Sequence, residues 1–67
     1  MMMVYMVMDG VEYEGESVVK VFASQADAEQ YKEELVAEQC QWHDLESEED
    51  LMEEFGQYYV VREMEVH

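Results

Sequence analysis

Carboxylates dominate the groups in this sequence that could do chemistry. Between Asp44 and Glu54, seven of eleven residues are acidic: Asp44, Glu46, Glu48, Glu49, Asp50, Glu53 and Glu54. Glu34 and Glu38 stand upstream at a spacing that stacks side chains about 6 Å apart along a helix axis. Duplex DNA carries one negative charge per about 1.7 Å of axis over both strands. Rows of carboxylates from two helices approximate that charge density. A groove built to hold DNA or RNA would meet in them a folded imitation, bound with the salt sensitivity of a nucleic-acid complex. The competing reading is an acidic face that is simply solvated.

Other constellations are weaker. Asp44, Glu46 and Glu48 match the first, third and fifth places of an EF-hand loop. Glu49 stands where that loop needs Gly, and Phe55 where it needs a bidentate Glu, so no EF-hand is expected. Cys40 and His43 form a C-x-x-H pair and His67 ends the chain, but a structural zinc site needs four ligands. No metal site and no cofactor is expected. As a nucleophile, Cys40 would suffer from the surrounding carboxylates, which disfavour the thiolate. There is no phosphate-cradling Gly-rich loop, and so short a chain has little room for a deep pocket. An enzyme is not expected.

Charge and length bound the answer further. Eighteen acids face only Lys20, Lys32 and Arg62, for a formal charge of −15 over 67 residues. A small domain typically carries a magnitude of about 2–8. Such a field opposes compaction, repels nucleic acid and anionic membranes, and attracts basic protein surfaces. Crowded carboxylates are also expected to hold protons more tightly than isolated ones. Yet 49% of residues are hydrophobic and they are periodic, so a single folded acidic domain over residues 1–67 is expected. Cys40 is the sole cysteine, which excludes an internal disulfide and fits a reducing, cytoplasmic setting. The Met-rich start lacks a basic n-region and is too short to span a bilayer, so it reads as a strand.

The elements that must position these groups follow from patterning. Residues 3–8 and 11–13 are rich in Val, Met and Tyr, Glu14-Gly15-Glu16 supplies a turn, and Ser17–Phe22 reads as a second strand. Ser24 caps a helix running from Gln25 to about Gln39, with Ala28, Tyr31, Leu35 and then Trp42 on one stripe. Ser47 caps a short helix that Gly56 ends. Gln57–Val66 is the last strand. The predicted class is α+β: a three-stranded antiparallel sheet of order β-β-α-(short α)-β, with strand three beside strand one. Tyr58, Val60, Met64 and Val66 are expected beneath the main helix, where Arg62 interrupts the row. Tyr5, Val7, Val19, Val21, Tyr59 and Val61 are expected on the other face, which is too apolar to leave wet. A homodimer would cover it and strengthen a core that is thin at this size.

The run Tyr13-Glu14-Gly15-Glu16-Ser17, followed by Val21-Phe22-Ala23-Ser24 and Ala28-Glu29, resembles small uncharacterised hairpin–helix–strand proteins over residues 3–35. In size, acidity and lack of catalytic motifs the chain also resembles small bacteriophage proteins that disable host machinery. Several of these mimic nucleic acid and inhibit restriction, repair or CRISPR enzymes. The resemblance implies an inhibitor acting in the host bacterial cytoplasm on a basic, nucleic-acid-binding host protein, without itself binding nucleic acid or membrane. Glu34, Glu38, Asp44, Glu46, Glu48, Glu49, Asp50, Glu53 and Glu54 are the expected contacts, with Trp42 as an aromatic anchor. The alternative is a small dimeric interaction module that binds through its apolar sheet face, the acidity serving solubility.

Overall fold

The computed structural model describes residues 2–66, so His67 lies outside the described part. Strands β1 (Met2–Val11), β2 (Gly15–Phe22) and β3 (Gln57–Val66) form one antiparallel sheet in the order β2-β1-β3. Between β2 and β3 come α1 (Gln25–His43) and α2 (Glu48–Phe55). This is the expected α+β fold, with the chain's apolar opening segment as the central strand.

Local chemistry sets the ends of the helices. The Ser24 hydroxyl accepts from the Asp27 N–H, and the Ser47 hydroxyl from the Asp50 N–H, filling an orphan donor at each N-terminus. Helix α1 runs one turn past Gln39 and ends at Asp44, whose φ of 57° and ψ of 47° are left-handed. The Asp44 N–H donates to the Gln41 carbonyl and the Leu45 N–H to the Cys40 carbonyl, a Schellman arrangement. Asp is one of the few non-glycine residues that tolerate this conformation. Gly56 closes α2 in the same region, and its N–H donates to the Met52 carbonyl.

The hairpin differs from expectation. Its turn is Glu12–Glu14, closed by the Glu14 N–H on the Val11 carbonyl, and Tyr13 takes a φ of 77°. Gly15 also has positive φ but already opens β2. A bulge then interrupts the ladder. Val7 pairs with Lys20 and Met8 with Val18, which leaves Val19 without a partner on β1.

For β1 and β3 the two sheet faces are exchanged relative to the expectation, while Val21 of β2 lies on the open face as expected. Val7 and Tyr59 are buried in the core with Ala28 of α1 and Leu51 of α2. Tyr5 lies opposite Phe22, whose ring meets Tyr31 of α1 at 5.3 Å between centroids, and Val61 lies opposite Val7. So Tyr5, Val7, Tyr59 and Val61 line the helix-covered face. Tyr58, Val60, Met64 and Val66 lie on the open face. Val21 is exposed there, opposite Met6, while Val19 is exposed in the bulge. The cause is that both rows of β3 are apolar near its start, so alternation alone does not choose between them.

Candidate acidic interface

The acidic segment is held by contacts between α1 and the start of α2. The Cys40 thiol donates to the Ser47 carbonyl at 3.4 Å, and the His43 ring packs on Phe55 at 4.2 Å between centroids. These contacts turn the inner stripe of α1 toward Val36, Cys40 and His43 in its C-terminal half. Trp42 therefore leaves the stripe and stands 81% exposed. Cys40 and His43 each have a partner of their own. Among the described residues no group of three His, Cys, Asp or Glu side chains is placed to hold a metal ion.

Between α1 and the segment leading into α2 lies a groove of about 300 Å³. Glu29 and Glu33 line one side, Glu46 and Glu48 the other, with Val36, Ala37 and Cys40 at its apolar part. Lys32 projects into it, and its Nζ lies 3.8 Å from Glu48. Glu29 and Glu33 were not among the expected contacts. Their four-residue spacing, on the same turn-to-turn row as Lys32's neighbour positions, is the signal that could have found them.

The expected contact residues fall into separate groups. Glu46 and Glu48 border the groove. Glu49, Glu53 and Glu54 are exposed on α2, Asp50 is half-buried in its first turn, and Asp44 is the exposed cap of α1. Glu34 and Glu38 are exposed on α1 but do not line the groove. Glu38 instead lies close enough to Tyr59 to act on it. Burial first, then the charges of Asp9 and Glu38, push the Tyr59 hydroxyl above the usual tyrosine range.

All three cations have partners elsewhere than on the outer helix surface. The Lys20 ammonium lies 5.3 Å from the ring centroids of both Phe22 and Tyr31. Arg62 grips Glu16 with two N–H donors, each at 3.0 Å. Lys32 sits inside the groove. Among the described residues only Glu16 and Glu48 have a basic partner in ion-pair range, so the outer acids keep their charge unopposed. Glu16 also departs from the crowding expectation. The Arg62 hydrogen bonds, then that of Tyr58, hold its carboxyl below the usual carboxylate range.

No protein-family model, curated protein or solved structure matches this chain. Among the described residues no helix is long and apolar enough to cross a membrane.

Proposed function

We propose that this chain is a binding protein, not an enzyme: a phage-type inhibitor that places its acidic helices in a basic nucleic-acid-binding groove of a host protein. It would act in the bacterial cytoplasm by competing with DNA or RNA for that groove. The observation that carries this reading is the partition of charge. The three bases are drawn to the sheet or into the α1–α2 groove, while Glu34, Glu38, Asp44, Glu49, Glu53 and Glu54 stand exposed without a basic partner. Ordinary solvated surfaces intersperse both signs. A surface of one sign steers an oppositely charged partner and raises its rate of encounter.

Each part of the surface has a role in this reading. Partner lysines or arginines engage the carboxylates, and the α1–α2 groove admits one basic side chain in competition with Lys32. Trp42 adds apolar contact area beside Asp44, as exposed aromatics do in interfaces. The test is capture of partners from a bacterial lysate by the tagged protein, with and without excess duplex DNA. A DNA- or RNA-processing protein that DNA displaces is the expected result. Reversing Glu48, Glu49 and Asp50 to Lys should weaken that capture. Inhibition unchanged in this variant would defeat the site assignment.

A further inference from the structure

We infer that the open face of the sheet is the contact surface of a homodimer, its occupant being a second copy of this chain. This goes beyond the acidic-surface reading and does not depend on it. The helices cover the face bearing Val7 and Tyr59, and the opposite face is bare. On that face Val18 is 52% exposed, and Val21 and Met64 are each 49% exposed. Met6, Met8 and Val60 fill the space between them, by the register of the three strands.

Charge identifies the occupant. The chain carries −15, yet on the open face the register places one acid, Glu16, and one base, Arg62. Arg62 and Glu16 neutralise one another at 2.9 Å. The remaining seventeen acids stand on the covered face, in the turns and on the helices. A basic partner gains nothing from a neutral face and would be drawn to the helices instead. Helix against helix would set the carboxylates of two copies against one another, whereas here two chains meet without opposing carboxylates. Face-to-face stacking also points the acidic helices of both copies outward, as far apart as the sandwich allows.

Area and core agree. Two strands of ten residues and one of eight, at about 3.3 Å per residue and about 4.8 Å between strands, make a face of roughly 450 Å² in projection. Two such faces approach the total of about 1,000 Å² at which specific interfaces begin, and side-chain relief adds to the projected figure. The core gains as well: Val7, Ala28, Leu51 and Tyr59 are the buried apolar residues of the described chain. A chain this short rarely gains more than about 3–5 kcal/mol from one core. A second sheet packed at about 10 Å would convert the bare face into core.

Sedimentation of the full chain across a concentration series, at low and physiological salt, tests this. A dimer is expected, and it should tighten with added salt because screening relieves repulsion between the copies. Val18→Thr with Val21→Thr keeps shape and strand propensity at exposed positions and should weaken dimerisation by at least about tenfold. Met64→Gln is a second probe, on the other side of the face, should the double variant fold poorly. Glu53→Lys with Glu54→Lys lies on α2 and should leave the dimer at least as tight. A chain that is monomeric at every concentration and salt overturns the inference. So does a dimer indifferent to both Val18/Val21 and Met64, which would place the contact on a strand edge or a helix. Neither outcome bears on capture of a basic partner, so the two readings fail separately.

Discussion

At the scale of single residues, Gly10 organises the open face. It pairs with Glu16 on β2 and with Tyr58 on β3, so the three stand in one line across the sheet. A Cβ built at Gly10 would overlap the Tyr58 ring, with the phenol oxygen only 2.6 Å away. Without that carbon the ring lies over the central strand, and its hydroxyl donates to Glu16 at 2.9 Å. Gly10→Ala should therefore cost about 1–3 kcal/mol in denaturant unfolding, by overpacking a well-filled site. Tyr58→Phe removes only the hydroxyl and should cost less, which separates the clash from the hydrogen bond. This cluster and Tyr59, on the covered face, tie stability to pH in two opposite senses. Glu16 has a folded-state value below its unfolded one, so its contribution is present above the usual carboxylate range and lost as pH falls through the folded value. Tyr58, raised first by its bond to Glu16, and Tyr59, raised first by burial, act in the opposite sense. Their contribution is present below the usual tyrosine range and lost as pH rises toward their folded values. Unfolding followed against pH should show the acid limb flattened in Arg62→Gln. An acid limb identical in Arg62→Gln and the parent would remove Glu16 from the explanation.

At the scale of elements, α2 carries acids at both ends, and its dipole treats them differently. Glu48, Glu49 and Asp50 crowd the first turn, where the dipole favours negative charge; Glu53 and Glu54 sit in the last turn, where it does not. Glu53→Lys with Glu54→Lys should thus raise stability by about 0.3–1 kcal/mol per site in thermal unfolding. The same variant should weaken capture of a basic partner, so fold and binding move in opposite directions. Ser47→Ala should cost about 1 kcal/mol through the lost cap on Asp50. These caps were readable from sequence because capping is local: Ser24, Ser47 and Gly56 act within three or four residues of themselves. The sheet faces were not readable, because that choice depends on distant partners. Tyr58 and Val60 are as apolar as Tyr59 and Val61, so β3 offers two equivalent rows near its start. Arg62 discriminates between them only once Glu16, across β1, is known to receive it. The turn at Tyr13 escaped for a related reason, since a bulky aromatic is among the least expected residues at positive φ. Trp42 fits the stripe by spacing, but Ser47 and Phe55 pull Cys40 and His43 inward and leave it one position, or about 100°, out of line. The acidic segment itself was evident from composition. Its groove was not, because Glu29 and Glu33 come to Glu46 and Glu48 only through the reversal of chain direction between the two helices.

For the whole molecule, the partition of charge makes salt act in opposite directions on folding and on recognition. Repulsion among like charges on a chain of −15 opposes the compact state, and screening lengths shrink from about 30 Å at 0.01 M to about 8 Å at 0.15 M salt. Adding salt over this range should raise the melting temperature, since the three intramolecular cation contacts that it also weakens are few beside the acids it screens. The effect should be larger in the parent than in Glu53→Lys with Glu54→Lys, which removes four units of negative charge. Binding to a basic groove should respond the other way. A partner that holds nucleic acid releases its own anions when the carboxylates arrive, so log affinity should fall linearly with log salt, as for a nucleic-acid complex. Each carboxylate that engages the groove should add to the slope, and Glu48→Lys with Glu49→Lys and Asp50→Lys should make it shallower. Calorimetric titration of a captured partner at several salt concentrations, beside melting curves at the same concentrations, gives both signs from one preparation. A melting temperature that climbs while affinity falls is the signature of a surface kept acidic for its partner at the expense of its own fold. Affinity flat in salt would instead mean that the acidic helices are solvated background and do not carry the recognition.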